Sequence, residues 1–226
     1  MELRLELRQK LEQKLELKLE LKQQLLAPIL TMLPSEFAPY LNIEVEEDQE
    51  VLIKSLPFLV LHEYSHPLQA AGRLIVPQFN SKNEYPAFHI HSLIHDANET
   101  GVDKGSILAG ISIGKYTAEQ MYSSYATMVG RVFNDIFDNS REIEGYYPFL
   151  ARLHAGLTEN SKHTTSKELL IEQKNLLGLL ENRVKSEEFF EVSKIYQKIY
   201  QQTKFSEKYV PDKSLNILGT SSTFLH

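Results

Sequence analysis

The stretch LPFLVLHEYSHPLQAAG, residues 56–72, constrains this chain more than any other part of it. His62 and His66 stand four residues apart, so on a helix both imidazoles fall on one face and reach a single cation at about 2.1 Å. Glu63, one residue round, then meets a water held at that cation. The run FLVL ahead of the motif makes the helix a buried one. Two imidazoles and a carboxylate in such a place need a polar partner. Two prolines qualify the helix. Pro57, just behind Ser55, suits a first helical turn, where a missing N–H costs nothing. Pro67 follows the second His directly, removes the backbone bond back to Glu63 and disfavours helical geometry at His66. The expectation is a helix that either kinks at this point or stops.

The 226 residues include no cysteine, which excludes disulfides and thiolate ligands and leaves His, Asp and Glu as the strong ligands available. A net charge of −6, with Lys and Arg spread along the chain, argues against nucleic acid as the main partner. With 42% hydrophobic and 24% charged residues the composition is that of an ordinary globular protein, long enough for one substantial domain with appendages. Apolar runs such as Leu56 to Leu61 are too short to span a bilayer, and the first residues are charged, so no membrane span and a cytoplasmic location are expected.

Residues 1–40 read as a Leu/Glu/Lys-rich arm followed by a connector punctuated by Pro28, Pro34 and Pro39. The arm is either a solvated helical extension or a surface for a protein partner. A metal-binding domain over 41–160 then carries short expected strands at 42–46, 73–77, 87–94 and 106–114, besides the motif helix. Thr117 and Gln120 form a capping box for a long helix over 118–144, ending before Gly145. Residues 161–226 hold two more helices, one opened by Thr165 with Glu168 and running to about Val184, the other opened by Ser186 and running to about Thr203. They read as a helical hairpin with a tail. The fold class expected is α+β, rich in helix, with a small sheet.

A catalytic cation of the zinc type takes three protein ligands and keeps one position open. Two regions compete for the third ligand. AFHIHSLIHDANE offers His89, His91 and His95; on a strand His89 and His91 share a face and line a cleft. The long helix offers Asn134, Asp138 and Glu142, a polar row at i, i+4 and i+8 opposite the apolar stripe Met121, Tyr125, Val129 and Val132.

The H-E-x-x-H motif, followed after some strands by a helix with Asn134, Asp138 and Glu142, resembles the gluzincin-type metallopeptidases. It is closest to the minimal metallopeptidase-like domains found beside von Willebrand A modules. The resemblance covers about 90 residues, from Leu56 to Tyr147, and only its first motif is specific. It implies a zincin-like domain holding Zn2+ on His62, His66 and Asp138, with Asn134 or Glu142 supporting a ligand and Glu63 as general base in the hydrolysis of a peptide or protein substrate. The usual arrangement in that family has Glu followed four residues later by Asp, whereas this helix has Asn at the earlier position. The competing expectation is a non-catalytic interaction or assembly protein in which HEYSH is incidental or binds a structural metal.

Overall fold

The computed structural model describes residues 46–79, 90–139 and 143–209. The arm and connector, residues 42–45 of the strand expected at 42–46, His89 and Glu142 lie outside these residues, and Glu46 belongs to a helix. The described part is helix-rich, with a single small two-stranded sheet. In chain order it contains α1 (Glu46–Ala70), β1 (Leu74–Ile75), α2 (Ile90–Ser112), α3 (Ala118–Asn139), a 3-10 turn (Glu144–Tyr146), α4 (Tyr147–Ser161), α5 (Lys167–Arg183), α6 (Glu187–Gln202) and β2 (Lys204–Phe205).

α1 absorbs both prolines within one helix. Pro57 removes one rung of the ladder, and the adjacent Phe58 N–H donates across the core to Ser124 Oγ at 3.0 Å. Pro67 lies in the last turns, and the helix runs past it to Ala70. Gly72, at φ 66°, then ends it: Arg73 N–H donates to the Leu68 carbonyl at 2.9 Å and Gly72 N–H to the Gln69 carbonyl at 3.0 Å. This left-handed glycine cap satisfies the last carbonyls and turns the chain into β1. Phe58, Leu61, Ser65 and Leu68 face inward at the 3–4 residue spacing of a helix with one buried side.

The strands expected at 87–94 and 106–114 are corrected: the described part of the first, and most of the second, belong to the long helix α2. The run at 106–112 imitates a strand because this half of α2 is buried over much of its circumference, whereas the first half keeps an exposed side at His91, His95 and Asn98. The glycines that suggested turns serve packing. A Cβ at Gly101 would strike the Val76 side chain, one at Gly105 would strike Leu74, and one at Gly110 would strike Met121. Bare backbone at Gly101 and Gly105 lets β1 lie close against α2. Thr100 and Ser106, both buried, return their hydroxyls to the carbonyls of Asp96 and Val102 at 2.6 and 2.7 Å.

α3 opens with the capping box expected of it: Gln120 N–H donates to Thr117 Oγ1 at 3.1 Å, and Thr117 N–H to Gln120 Oε1 at 2.8 Å. Met121, Tyr125 and Val129 are buried as expected, joined by Phe133. Of the polar row, Asn134 and Asp138 are exposed.

α4 lies in a stretch that reads as an aromatic cluster and a polar connection, and it is the central helix. It packs against α2, α5 and α6, and to a smaller extent α3. Leu150, Leu153 and Leu157 are wholly buried, and Arg152, His154, Glu159 and Asn160 are buried with them. Gly156 makes room for Tyr125, whose hydroxyl donates to the Leu153 carbonyl at 3.4 Å. α5 begins one residue later than expected. Ser166, not Thr165, accepts from Leu169 N–H, while Thr165 donates through both N–H and hydroxyl to Glu119. α6 buries Phe189, Val192, Tyr196 and Tyr200. α5 and α6 pack mainly on α4 rather than as a hairpin against each other. β2 follows α6 and pairs antiparallel with β1, Leu74 opposite Phe205 and Ile75 opposite Lys204.

Candidate metal centre

α1 and α2 bring a charged cluster together beneath one open face. His62 Nε2 lies 3.0 Å from Glu99 Oε2, and His66 Nε2 lies 3.6 Å from Glu99 Oε1. One ligand atom from each of His62, His66 and Glu99 lies within 4.8 Å of the others, so this group can hold a metal ion. The i, i+4 spacing aligns the two imidazoles, which meet edge to face at 5.0 Å. Glu63 is exposed beside them.

Beneath the cluster Asp103, one turn after Glu99 and almost wholly buried, faces both His62 and α4. Its Oδ1 is 3.0 Å from His62 Nδ1. Arg152 donates to both of its oxygens, from Nε and Nη2, at 2.7 Å each, the paired geometry in which a guanidinium grips a carboxylate most firmly. Arg152 Nη1 also lies 3.5 Å from Glu99 Oε2. Two carboxylates thus share Arg152 and His62.

The electrostatics follow. Burial opposes charge on His62, but the carboxylates of Asp103 and Glu99 outweigh it and hold the imidazolium up to about 9. Burial would raise the Glu99 and Asp103 carboxyls. For Glu99 the hydrogen bond from His62 and the charge of Arg152 override burial, and for Asp103 the charge and hydrogen bond of Arg152 and the contact with His62 do so, holding both below the ordinary range. The half-exposed His66 is lowered, first by burial and also by the charge of His62 against the opposing pull of Glu99. The Arg152 guanidinium stays charged: burial opposes it and Asp103 prevails.

The residues suit a divalent cation. Two imidazole nitrogens and one carboxylate oxygen form the N/O donor set of a three-ligand site with a position left open. His62 Nδ1 is buried at 3.0 Å from Asp103 yet off the line of a hydrogen bond. A cation at Nε2 would make Nδ1 the only N–H of that ring and set it against Asp103, the usual support for a ligating histidine.

The structure brings Glu99, and not the expected Asp138, together with His62 and His66. Asp138 and Asn134 sit exposed on α3, and neither joins the group. His91 is exposed on α2, a helix rather than the expected strand, while His95 lies at the cluster's edge. His154 and Arg152, in a stretch read as connection, are buried. Glu99, Asp103 and Arg152 are the residues that sequence reasoning missed. A signal was present for the first two: Glu followed four residues later by Asp, a spacing that on a helix puts ligand and support on one face. Arg152 carries no motif.

No family model, curated protein or solved structure matches this chain.

Proposed function

We propose that the protein is a zincin-like, zinc-dependent metallopeptidase that hydrolyses peptide bonds in a peptide or protein substrate. The observation that carries the reading is the convergence of His62, His66 and Glu99 within 4.8 Å while Glu63 stands open beside them. His62, His66 and Glu99 would hold the zinc ion, which when bound would supply Lewis acidity at the open position. Glu63 takes a proton from the attacking water and returns it to the departing amine. Asp103 orients His62, and Arg152 holds Asp103 in place with two bonds. Among the described residues no helix is long and apolar enough to cross a membrane. The proposal carries the expectation of a cytoplasmic protein, with the Leu-rich arm as a contact for a partner.

The test is turnover of quenched peptide substrates by the zinc-loaded protein beside Glu63→Gln. Loss of a general base is expected to slow turnover by about 10²–10⁴-fold with metal content and folding unchanged. A Glu63→Gln protein as active as the parent overturns the mechanism.

One observation favours a second, non-catalytic reading. Glu99 and Asp103 are already met by Arg152 and the charged His62, so the cluster holds together as an ion-pair network joining α1, α2 and α4. In an assembly protein built this way, elemental analysis of zinc-replete material finds no stoichiometric metal; the metallopeptidase reading requires about one per chain.

A further inference from the structure

His95 stands one helical turn ahead of Glu99 on the same face of α2, outside the ligand group. Its Nε2 is 3.8 Å from Glu99 Oε1, and its Nδ1 is 3.7 Å from Asp96 Oδ1. Both separations exceed a hydrogen bond, so the ring is flanked by two carboxylates and fastened to neither. Its side chain is 69% exposed, against 12% for Glu99 and 9% for Asp96.

The two oxygens of Glu99 have different surroundings. Oε2 faces inward, toward His62 at 3.0 Å and Arg152 at 3.5 Å. Oε1 faces outward, toward His66 at 3.6 Å and His95 at 3.8 Å. His95 is therefore on the solvent side of the carboxylate. It is not among the atoms that lie within 4.8 Å of one another, so it does not close the open position as a fourth ligand. The other strong donor beside Glu99, Arg152, is buried and bound to Asp103 through two nitrogens. That leaves His95 as an exposed imidazole at the mouth of the cluster.

We propose that His95 is a substrate-contacting residue of this site, its imidazole hydrogen-bonding the oxygen of an acyl group bound at the open position. The inference rests on the metallopeptidase reading and extends it. Asp96, buried next to it in sequence, lies 3.7 Å from the Nδ1 side and leaves the ring free to turn its Nε2 toward a ligand. The ligand class is a peptide carbonyl or a compound that imitates one, such as a hydroxamate.

The test uses the full chain loaded with Co2+ and titrated with acetohydroxamate, for the parent, His95→Phe and His95→Gln, each checked for folding by circular dichroism. The expected result is the same cobalt visible band in all three before the hydroxamate is added. His95→Phe should then bind acetohydroxamate about tenfold more weakly, and His95→Gln, which keeps a donor, should recover to within about threefold of the parent. Unchanged affinity in His95→Phe overturns the proposal. So does an altered or missing cobalt band in a folded His95 variant, because His95 would then be a ligand, and so does a parent that holds cobalt but takes no hydroxamate. A parent that takes up no cobalt overturns both this proposal and the reading beneath it; that failure is visible before hydroxamate is added, so the two are distinguishable.

Discussion

Glu99 carries the heaviest load of any single side chain in the cluster, because one of its oxygens faces His62 and Arg152 while the other faces His66 and His95. Asp138, by contrast, is a solvated carboxylate on α3. Replacing Glu99 by Ala should lower metal affinity by more than the roughly 10–100-fold that loss of a supporting partner costs, whereas Asp138→Ala should keep one equivalent of metal. Equilibrium dialysis of the two variants against zinc checks both statements, and loss of metal from folded Asp138→Ala would restore the α3 assignment. At this scale His62, Glu63 and His66 were legible because three residue types at fixed spacing within five positions leave few structural alternatives. Glu99 was not, since a lone Glu acquires meaning only when the helix around it is recognised.

The helices around the cluster owe their positions to small residues and buried polar ties. Gly156 on α4 lies against the Tyr125 ring, which has no exposed surface and nowhere to move. Gly156→Ala should gain helix propensity but lose more to overpacking, a net destabilisation of about 2 kcal/mol and a fall in Tm of about 4–8 °C. Thermal melts followed at 222 nm read this directly. A second tie joins α4, α5 and α6: His154 Nδ1 meets Ser193 Oγ at 2.6 Å and Nε2 meets Glu181 Oε1 at 3.1 Å, with Phe189 and Phe190 against the ring. Burial lowers the His154 pKa, against the opposing pull of Glu181. A histidine held neutral in the fold contributes stability that is present above its unfolded value of about 6.5 and lost as pH falls through the folded one. Urea midpoints between pH 7.5 and 5 should therefore fall more steeply for the parent than for His154→Gln; equal slopes would show that His154 titrates alike in both states. α3, α5 and α6 were legible from caps and amphipathic spacing. α2 and α4 were not, because helices buried over most of their surface lose the alternation that marks a helix, and glycine in α2 looks like punctuation until the element it packs against is known.

Taken whole, the described residues from Val51 onward belong to one compact unit in which α4 is central and the charged cluster lies between α1, α2 and α4. Without a cation the carboxylates of Glu99 and Asp103 are matched by Arg152 and the protonated His62, so neither is left without a counterpart. The protein treated with a chelator should consequently keep its helical circular dichroism and melt cooperatively. Zinc at about a hundredfold above its Kd should add about 2.7 kcal/mol, or about 5–10 °C in Tm. Collapse of the helical signal on chelation would mean that the metal, not Arg152, holds the cluster together.

The glycine cap at Gly72 and the notches at Gly101 and Gly105 together form a closed frame. From His66 the chain runs through the cap into β1, whose neighbouring Val76 seats on α2 at Gly101, within a turn of Glu99, and whose Leu74 seats at Gly105, a turn further on. The jaws that carry the imidazoles and the carboxylate are thus joined behind the site as well as across it, like a caliper locked at one opening. With the gap tied in this way, ions are expected to be sorted by radius: a small divalent ion should bind more tightly than a large one such as calcium, which needs more oxygens at longer reach.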